Sequence, residues 1–251
     1  MKPYNKIILA DSRDLHDHVD DNTVSLIVTS PPYNVEKSYE IKMTLEEYLA
    51  YLDPVWKECL RVLKPGGRIV INQADTYRQP YIPQHAYTSI RLVELGFYMR
   101  GVIIWNKMNS SNRCTAWGSW MSPSNPYIRD KAEFICCFSK GNVPLKPLVK
   151  GAKPDITRDE FLEYSLDMWD METESAKYIG HPAPFPIELP KRAIKFYTYP
   201  GDLVIDPFNG SGTTCVAAKM LRRKYLGFDI LQEYVDLAMK RVDSYRKTST
   251  L

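Results

Sequence analysis

Asp206-Pro207-Phe208-Asn209-Gly210-Ser211-Gly212-Thr213-Thr214 decides how this 251-residue chain is read. It follows Leu203-Val204-Ile205, an apolar run with the character of a buried strand, and opens a segment with helical spacing over about 211–222. A glycine-rich turn between a strand and a helix has a physical use. Glycine reaches positive φ and lets the backbone approach a ligand closely, and the helix offers unpaired N–H groups to an anion. A nucleotide-phosphate loop is a competing reading, but the Gly-Lys-[Ser/Thr] ending of such loops is missing. A tight turn of purely structural value is the other. Downstream, Tyr225-Leu226-Gly227-Phe228-Asp229 brings a carboxylate to the end of the next strand. An acid there can accept hydrogen bonds from both hydroxyls of a ribose.

A second stretch, far upstream, adds to the meaning of the first. Val24-Ser25-Leu26-Ile27-Val28-Thr29 reads as a buried strand that must stop at Ser30-Pro31-Pro32-Tyr33-Asn34, because prolines cannot continue a ladder. In this order the two stretches resemble the beta class of amino-methylating DNA methyltransferases. Ser30-Pro31-Pro32-Tyr33 is similar to their [Asp/Asn/Ser]-Pro-Pro-[Tyr/Phe] signature, and Asp206-Pro207-Phe208-x-Gly-x-Gly to their cofactor motif. His181-Pro182-Ala183-Pro184-Phe185-Pro186, Ile104-Trp105-Asn106-Lys107 and Gly118-Ser119-Trp120 also look like family segments, so the resemblance covers most of the chain.

The resemblance implies an enzyme of restriction-modification type that moves a methyl group from S-adenosyl-L-methionine to an exocyclic amine in duplex DNA. It implies a Rossmann-like α/β methyltransferase domain over 1–251, with a seven-stranded sheet, six strands parallel and one antiparallel, in permuted motif order. Inserted recognition loops are expected over about 108–176. The cofactor is expected against Asp206, Phe208, Asn209, Gly210, Ser211, Gly212 and Thr213, with Asp229 on the ribose. Asp11 resembles the family acid near the adenine ring, or is an ordinary turn cap. His181 contacts the cofactor carboxylate or caps a turn.

Ser30, Pro31, Pro32 and Tyr33 form the expected catalytic set. An exocyclic amine is a poor nucleophile because its lone pair is delocalised into the ring. Hydrogen bonds from N–H to the Ser30 hydroxyl and the Pro31 carbonyl would draw the nitrogen towards sp³ geometry and aim its lone pair at the sulfonium methyl. Tyr33 offers a flat ring for a base flipped out of the duplex. Catalysis then rests on in-line positioning. The Pro-Cys dipeptide of the carbon-5 cytosine enzymes does not occur. By resemblance, serine in the first position marks N4-cytosine methylation, with N6-adenine methylation the alternative. The rivals are a non-catalytic nucleic-acid-binding protein with this fold, and a methyltransferase of RNA or protein.

Charge is uneven along the chain. Residues 107–153 hold eight basic side chains against Asp130 and Glu133, and residues 154–176 hold eight acidic ones against Arg158. A basic stretch with interleaved aromatics can track a phosphate backbone, and a solvated loop is the plainer reading. The nucleic-acid contacts are expected at Lys107, Arg113, Trp117, Trp120, Arg129 and Lys131. The expected partner is double-stranded DNA, with a homodimer and a cognate endonuclease as further candidates. No apolar run approaches the roughly 18 residues that span a bilayer, so an intracellular location and no membrane partner are expected, and the resemblance implies a prokaryotic, cytoplasmic and nucleoid-associated enzyme. Five cysteines without a Cys-x-x-Cys pair suggest neither a disulfide framework nor a zinc site.

Periodicity predicts further strands at 6–9, 68–72, 98–105, 133–139 and 225–228, and helices at 44–63, 83–95, 187–197 and 231–246. Residues 64–67 read as a turn, and 108–126 and 141–154 as loops. Strands alternating with helices predict a mostly parallel sheet covered on both faces.

Overall fold

The computed structural model describes residues 3–33, 43–75, 81–108, 117–129, 131–174 and 185–245; Asn34, Arg113 and residues 181–184, His181 included, lie outside them. The strands are β1 (Lys6–Leu9), β2 (Val24–Thr29), β3 (Leu63–Gln73), β4 (Tyr98–Asn106), β5 (Ala132–Ser139), β6 (Met168–Asp170), β7 (Leu203–Asp206) and β8 (Lys224–Asp229). They form one sheet in the order β1-β8-β7-β2-β3-β5-β4-β6, in which β5 alone runs antiparallel to its neighbours. The helices are α1 (Leu45–Val62), α2 (Gln84–Glu94), α3 (Arg158–Tyr164), α4 (Glu188–Tyr197), α5 (Thr213–Met220) and α6 (Gln232–Ser244). Among the described residues no helix is long and apolar enough to cross a membrane.

Strand side chains alternate between faces, so a sheet covered on both sides needs strands that are apolar throughout. Ile69, Ile71, Ile205 and Phe228 pack with Leu52 and Trp56 of α1 and Leu92 of α2. Val28, Val70 and Val204 pack with Leu189 and Ile194 of α4 and Ala217 of α5. Cys136 and Cys137, adjacent in β5, go to opposite faces. Burial pushes their thiols up to about 11 and about 12. Thr44 caps α1 by accepting from Glu47 N at 3.2 Å, while the Glu47 carboxylate accepts from Thr44 N at 2.8 Å. Pro54 lies on the exposed side of one continuous helix.

Among the described residues the sheet has eight strands rather than the expected seven. The addition is β6, which pairs Trp169 with Trp105 at the edge. Three residues carry no readable alternation, and tertiary contacts fix this strand. Trp169 is buried below Arg192, and Trp105 Nε1 donates to Met171 O at 2.8 Å. The stretch 108–176 supplies an interior strand (β5), α3 and β6. Three of the eight carboxylates in its acidic part pair with basic residues elsewhere in the fold. Asp155 takes two bonds from Arg223 at 2.5 and 2.7 Å, Glu163 pairs with Arg192 at 2.7 Å, and Glu160 pairs with Lys195.

Residues 64–67, expected as a turn, lie within β3 as a bulge, because Val24 pairs with Leu63 but Leu26 with Arg68. Gly66 there has φ +79°, and an added Cβ would stand 2.6 Å from Val143 O.

From β2 the chain passes through α1 to β3 on one side, and from β7 through α5 to β8 on the other. β2 and β7 are neighbours, so the winding reverses between their carboxyl ends, where open α/β sheets bind ligands.

Candidate active site

Asp206 joins the two strands at this crevice. Its Oδ1 accepts from Thr29 Oγ1 at 2.7 Å and from Phe208 N at 3.0 Å, and its Oδ2 accepts from Thr214 Oγ1 at 2.8 Å. One buried carboxylate thus ties the residue before Ser30 to the glycine turn and to the first turn of α5. The side chain expected among the cofactor contacts makes these three bonds within the protein.

Burial pushes the Asp206 pKa up to about 6, although the Thr29, Thr214 and Phe208 bonds favour its ion. A folded pKa above the unfolded one means the native state keeps a proton that the unfolded chain has released. Stability from this group therefore rises as pH falls through about 6. Denaturant titrations of wild type and Asp206→Asn should show wild type gaining relative stability between about pH 7 and about pH 5. Parallel pH profiles would contradict a raised pKa at this position.

The glycine turn is built for close approach. Gly210 and Gly212 have φ +46° and +80°, and a Cβ on Gly212 would lie 2.7 Å from Ala238 Cβ. Asp229 ends β8 and accepts from Gly210 N at 2.8 Å and Leu231 N at 3.0 Å. A carboxylate has about four acceptor positions, so capacity remains for hydroxyl donors. Burial raises its pKa, opposed by the backbone bonds from Leu231 and Gly210. Asn209 is buried. Its Oδ1 accepts from Cys215 Sγ at 3.1 Å, and its Nδ2 has no partner among the described residues.

Phe208 is half-buried, edge-on to Trp56. The hydroxyls of Ser211 and Thr213 are held by Arg241 Nη1 at 2.7 and 3.1 Å. They brace the turn from inside the fold, and sequence reasoning missed Arg241, one of two adjacent basic residues in α6. Asp11 realises the cap reading. Its Oδ1 accepts from Arg13 N and Nε at 2.9 Å each, and Oδ2 pairs with Arg13 Nη2 at 2.5 Å. The hydrogen-bonded Arg13 guanidinium holds the Asp11 carboxyl below its ordinary pKa. The segment still borders the site, since Ala10 N donates to Asp229 O at 3.0 Å.

Ser30, Pro31, Pro32 and Tyr33 follow β2 and are held from several elements. Tyr48 Oη donates to Pro32 O at 2.7 Å, and Gln84 Nε2 to Tyr33 O at 2.7 Å. Ser30 Oγ and Tyr33 Oη are 2.7 Å apart. Asn72 Nδ2 donates to Tyr33 Oη at 3.0 Å and to Glu133 Oε2 at 2.5 Å. Burial, then the Glu133 charge, raise the Tyr33 pKa well above its ordinary value. The phenol is therefore neutral. Asn72 Oδ1, Gln73 Oε1 and Gln84 Oε1 are buried acceptors without partners among the described residues. Tyr48, Asn72, Gln84 and Glu133 were missed from sequence. The available signal was polar residues at the ends of apolar strands, as in Asn72-Gln73 of β3 and Glu133 of β5.

β4 and β5 are joined through residues 107–131, beyond the carboxyl end of β4. Lys107 N donates to Lys131 O at 3.0 Å at the base of this connection. Farther out, Gly118 bridges Pro126, the Arg129 guanidinium lies 3.9 Å from the Trp117 ring centre, and Trp117 meets Trp120 edge-on at 4.8 Å. Trp117, Trp120 and Arg129 are thus brought together, with Trp120 63% and Met121 88% exposed. Lys131 is exposed at the base. Lys107 is more enclosed. Its side chain is 13% exposed, and its ammonium pairs with Glu133 at 3.0 Å.

The sheet order, the glycine turn and the Ser-Pro-Pro-Tyr strand end together define a methyltransferase fold with permuted motif order. The family model described as DNA methylase, that of the N6 and N4 enzymes, matches residues 24–240, and the chain belongs to that family. It is 30% identical over 287 residues to the type II methyltransferase M.MjaI of Methanocaldococcus jannaschii, covering 95% of this chain and 93% of that one. With the DNA adenine methyltransferase YhdJ of Escherichia coli K12 it shares 29% over 233 residues, covering 88% of this chain and 76% of that one. Among solved structures, TTHA0409 of Thermus thermophilus, complexed with S-adenosyl-L-methionine, gives a TM-score of 0.77 at 30% identity. That match covers 95% of this chain and 93% of that one.

Proposed function

We propose that this protein transfers the methyl group of S-adenosyl-L-methionine to the exocyclic N4 of cytosine in double-stranded DNA, as the modification enzyme of a restriction-modification pair. The observation that carries the reading is the Thr29–Asp206 hydrogen bond, which holds the Ser30 strand end against the glycine turn. The residues fit the methyl donor. Asp229 keeps acceptor capacity for ribose hydroxyls, Asn209 Nδ2 is a buried donor without a partner among the described residues, and Gly210 and Gly212 permit close approach. The backbone from Gly210 to Thr213, at the start of α5, would hold the carboxylate. The donor supplies an electrophilic methyl on a sulfonium.

The chain's own residues do the rest. Ser30 Oγ and the Pro31 carbonyl accept from the target amine, and the Tyr33 ring supports the flipped base. Trp117, Trp120, Arg129 and Lys131 meet the duplex. One relative is an adenine enzyme, so the choice of cytosine rests on serine at position 30. Methyl-labelled S-adenosyl-L-methionine offered with duplex DNA, RNA and protein should label the duplex alone. Label in RNA or protein would redirect the reading.

Asp229→Ala should weaken S-adenosyl-L-methionine binding at least about tenfold, because hydrogen bonds to a charged group contribute about 1.5–3 kcal/mol each. DNA affinity should hardly change. Calorimetry giving wild-type cofactor affinity for the folded variant would remove Asp229 from this role.

A further inference from the structure

Below Ser30 runs a line of polar groups that the reaction as described does not use. Ser30 Oγ lies 2.7 Å from Tyr33 Oη, Tyr33 Oη 3.3 Å from Glu133 Oε2, and Glu133 Oε1 3.0 Å from Lys107 Nζ. Asn72 Nδ2 donates from the side to both Tyr33 Oη and Glu133 Oε2. The Glu133 and Lys107 side chains are 14% and 13% exposed, so the line is shielded from water.

The direction of each bond in this line follows from donor counting. The single proton of the Tyr33 hydroxyl has two acceptors at 3.3 Å, the Asn72 backbone carbonyl and the Glu133 carboxylate, and the charged one draws it more strongly. The Tyr33 oxygen then accepts from Asn72 and from Ser30. With its proton committed to Tyr33, Ser30 turns its lone pairs outward, and an amine N–H needs an outward acceptor. Were Tyr33 to donate to Ser30 instead, the serine proton would face the amine, donor against donor. Hydrogen-bonded hydroxyl chains also polarise one another in the direction set by a terminal charge.

We infer that Glu133, held by Lys107 and Asn72, is a positioning residue that sets the polarity of the Ser30 hydroxyl through the Tyr33 hydroxyl. The inference rests on the proposed contact between Ser30 and the target amine. Tyr33 then has two tasks. Its ring supports the base, and its hydroxyl carries the influence of Glu133 to Ser30.

Single-turnover methyl transfer into duplex DNA is compared for wild type, Glu133→Gln, Tyr33→Phe and the double variant, with melting and S-adenosyl-L-methionine affinity measured alongside. Each single variant should slow transfer about tenfold or more while KM for cofactor and DNA stays within about twofold. The double variant should be no slower than the slower single one, because both substitutions break the same line. Wild-type transfer in either single variant, or losses that multiply in the double, would overturn the inference. If Glu133→Gln melts too early to assay, Tyr33→Phe, which removes one oxygen, decides alone. Ser30→Ala separates the two levels. Its full turnover would overturn the underlying reading, whereas its loss beside a fully active Glu133→Gln would overturn only the role of Glu133.

Discussion

Ser30→Ala is expected to bind S-adenosyl-L-methionine with near wild-type affinity and to lose about 100-fold or more in methyl transfer. The hydroxyl acts on the amine as its lone pair leaves the ring, so the bond gains strength only towards the transition state. Removing one positioned hydrogen-bonding group of that kind costs about 10²–10³ in turnover. Folding should survive the change. Ser30 Oγ meets the Tyr33 hydroxyl, which keeps Asn72 and Glu133 as partners after the truncation. Calorimetry with the cofactor and rapid-quench transfer to duplex DNA measure the two halves of this prediction. Near-normal transfer would take Ser30 out of the reaction.

Asp206→Ala should be the most damaging single change to stability at the site. It strands two donors, Thr29 Oγ1 and Phe208 N, while Thr214 Oγ1 keeps the Val28 carbonyl at 3.3 Å. Unsatisfied buried groups cost about 1–3 kcal/mol each. The Thr29 hydroxyl can partly turn away, and the removed charge no longer has to be buried. A net loss of about 2–4 kcal/mol remains, or about 10 °C in Tm for a chain of this size. Asp206→Asn should lose far less. Its amide oxygen still serves Thr29 and Phe208, and the Thr214 hydroxyl can turn to accept from the amide nitrogen. Scanning calorimetry of both variants checks this, and an unchanged Tm in Asp206→Ala would contradict the structural role.

Local rules made much of the fold legible. The apolar runs before Ser30 and Asp206, the prolines that stop β2, the positive-φ glycines and the Thr44–Glu47 capping box each act over a few residues. What could not be read is long-range. Thr29 and Asp206 are 177 positions apart, so nothing local announces that the Asp206 carboxylate bonds the end of the Ser30 strand. Glu133 sits one hundred residues from Tyr33, and only the antiparallel register that sets Asn72 opposite Ile135 brings the end of β3 near it. Charge counting along the chain cannot see such pairings. Asp155, Glu160 and Glu163 find partners in Arg223, Lys195 and Arg192, and Lys107 finds Glu133. The strand β6 depends on the burial of Trp169 and has no periodic signal of its own.

The most direct measurement is mass spectrometry of nucleosides digested from duplex DNA that has been incubated with the protein and S-adenosyl-L-methionine. N4-methylcytosine is the expected product, absent when Ser30→Ala replaces the wild type. N6-methyladenine as the sole product would contradict the cytosine assignment, and DNA carrying no methylated amine would contradict the assignment of the site as a whole.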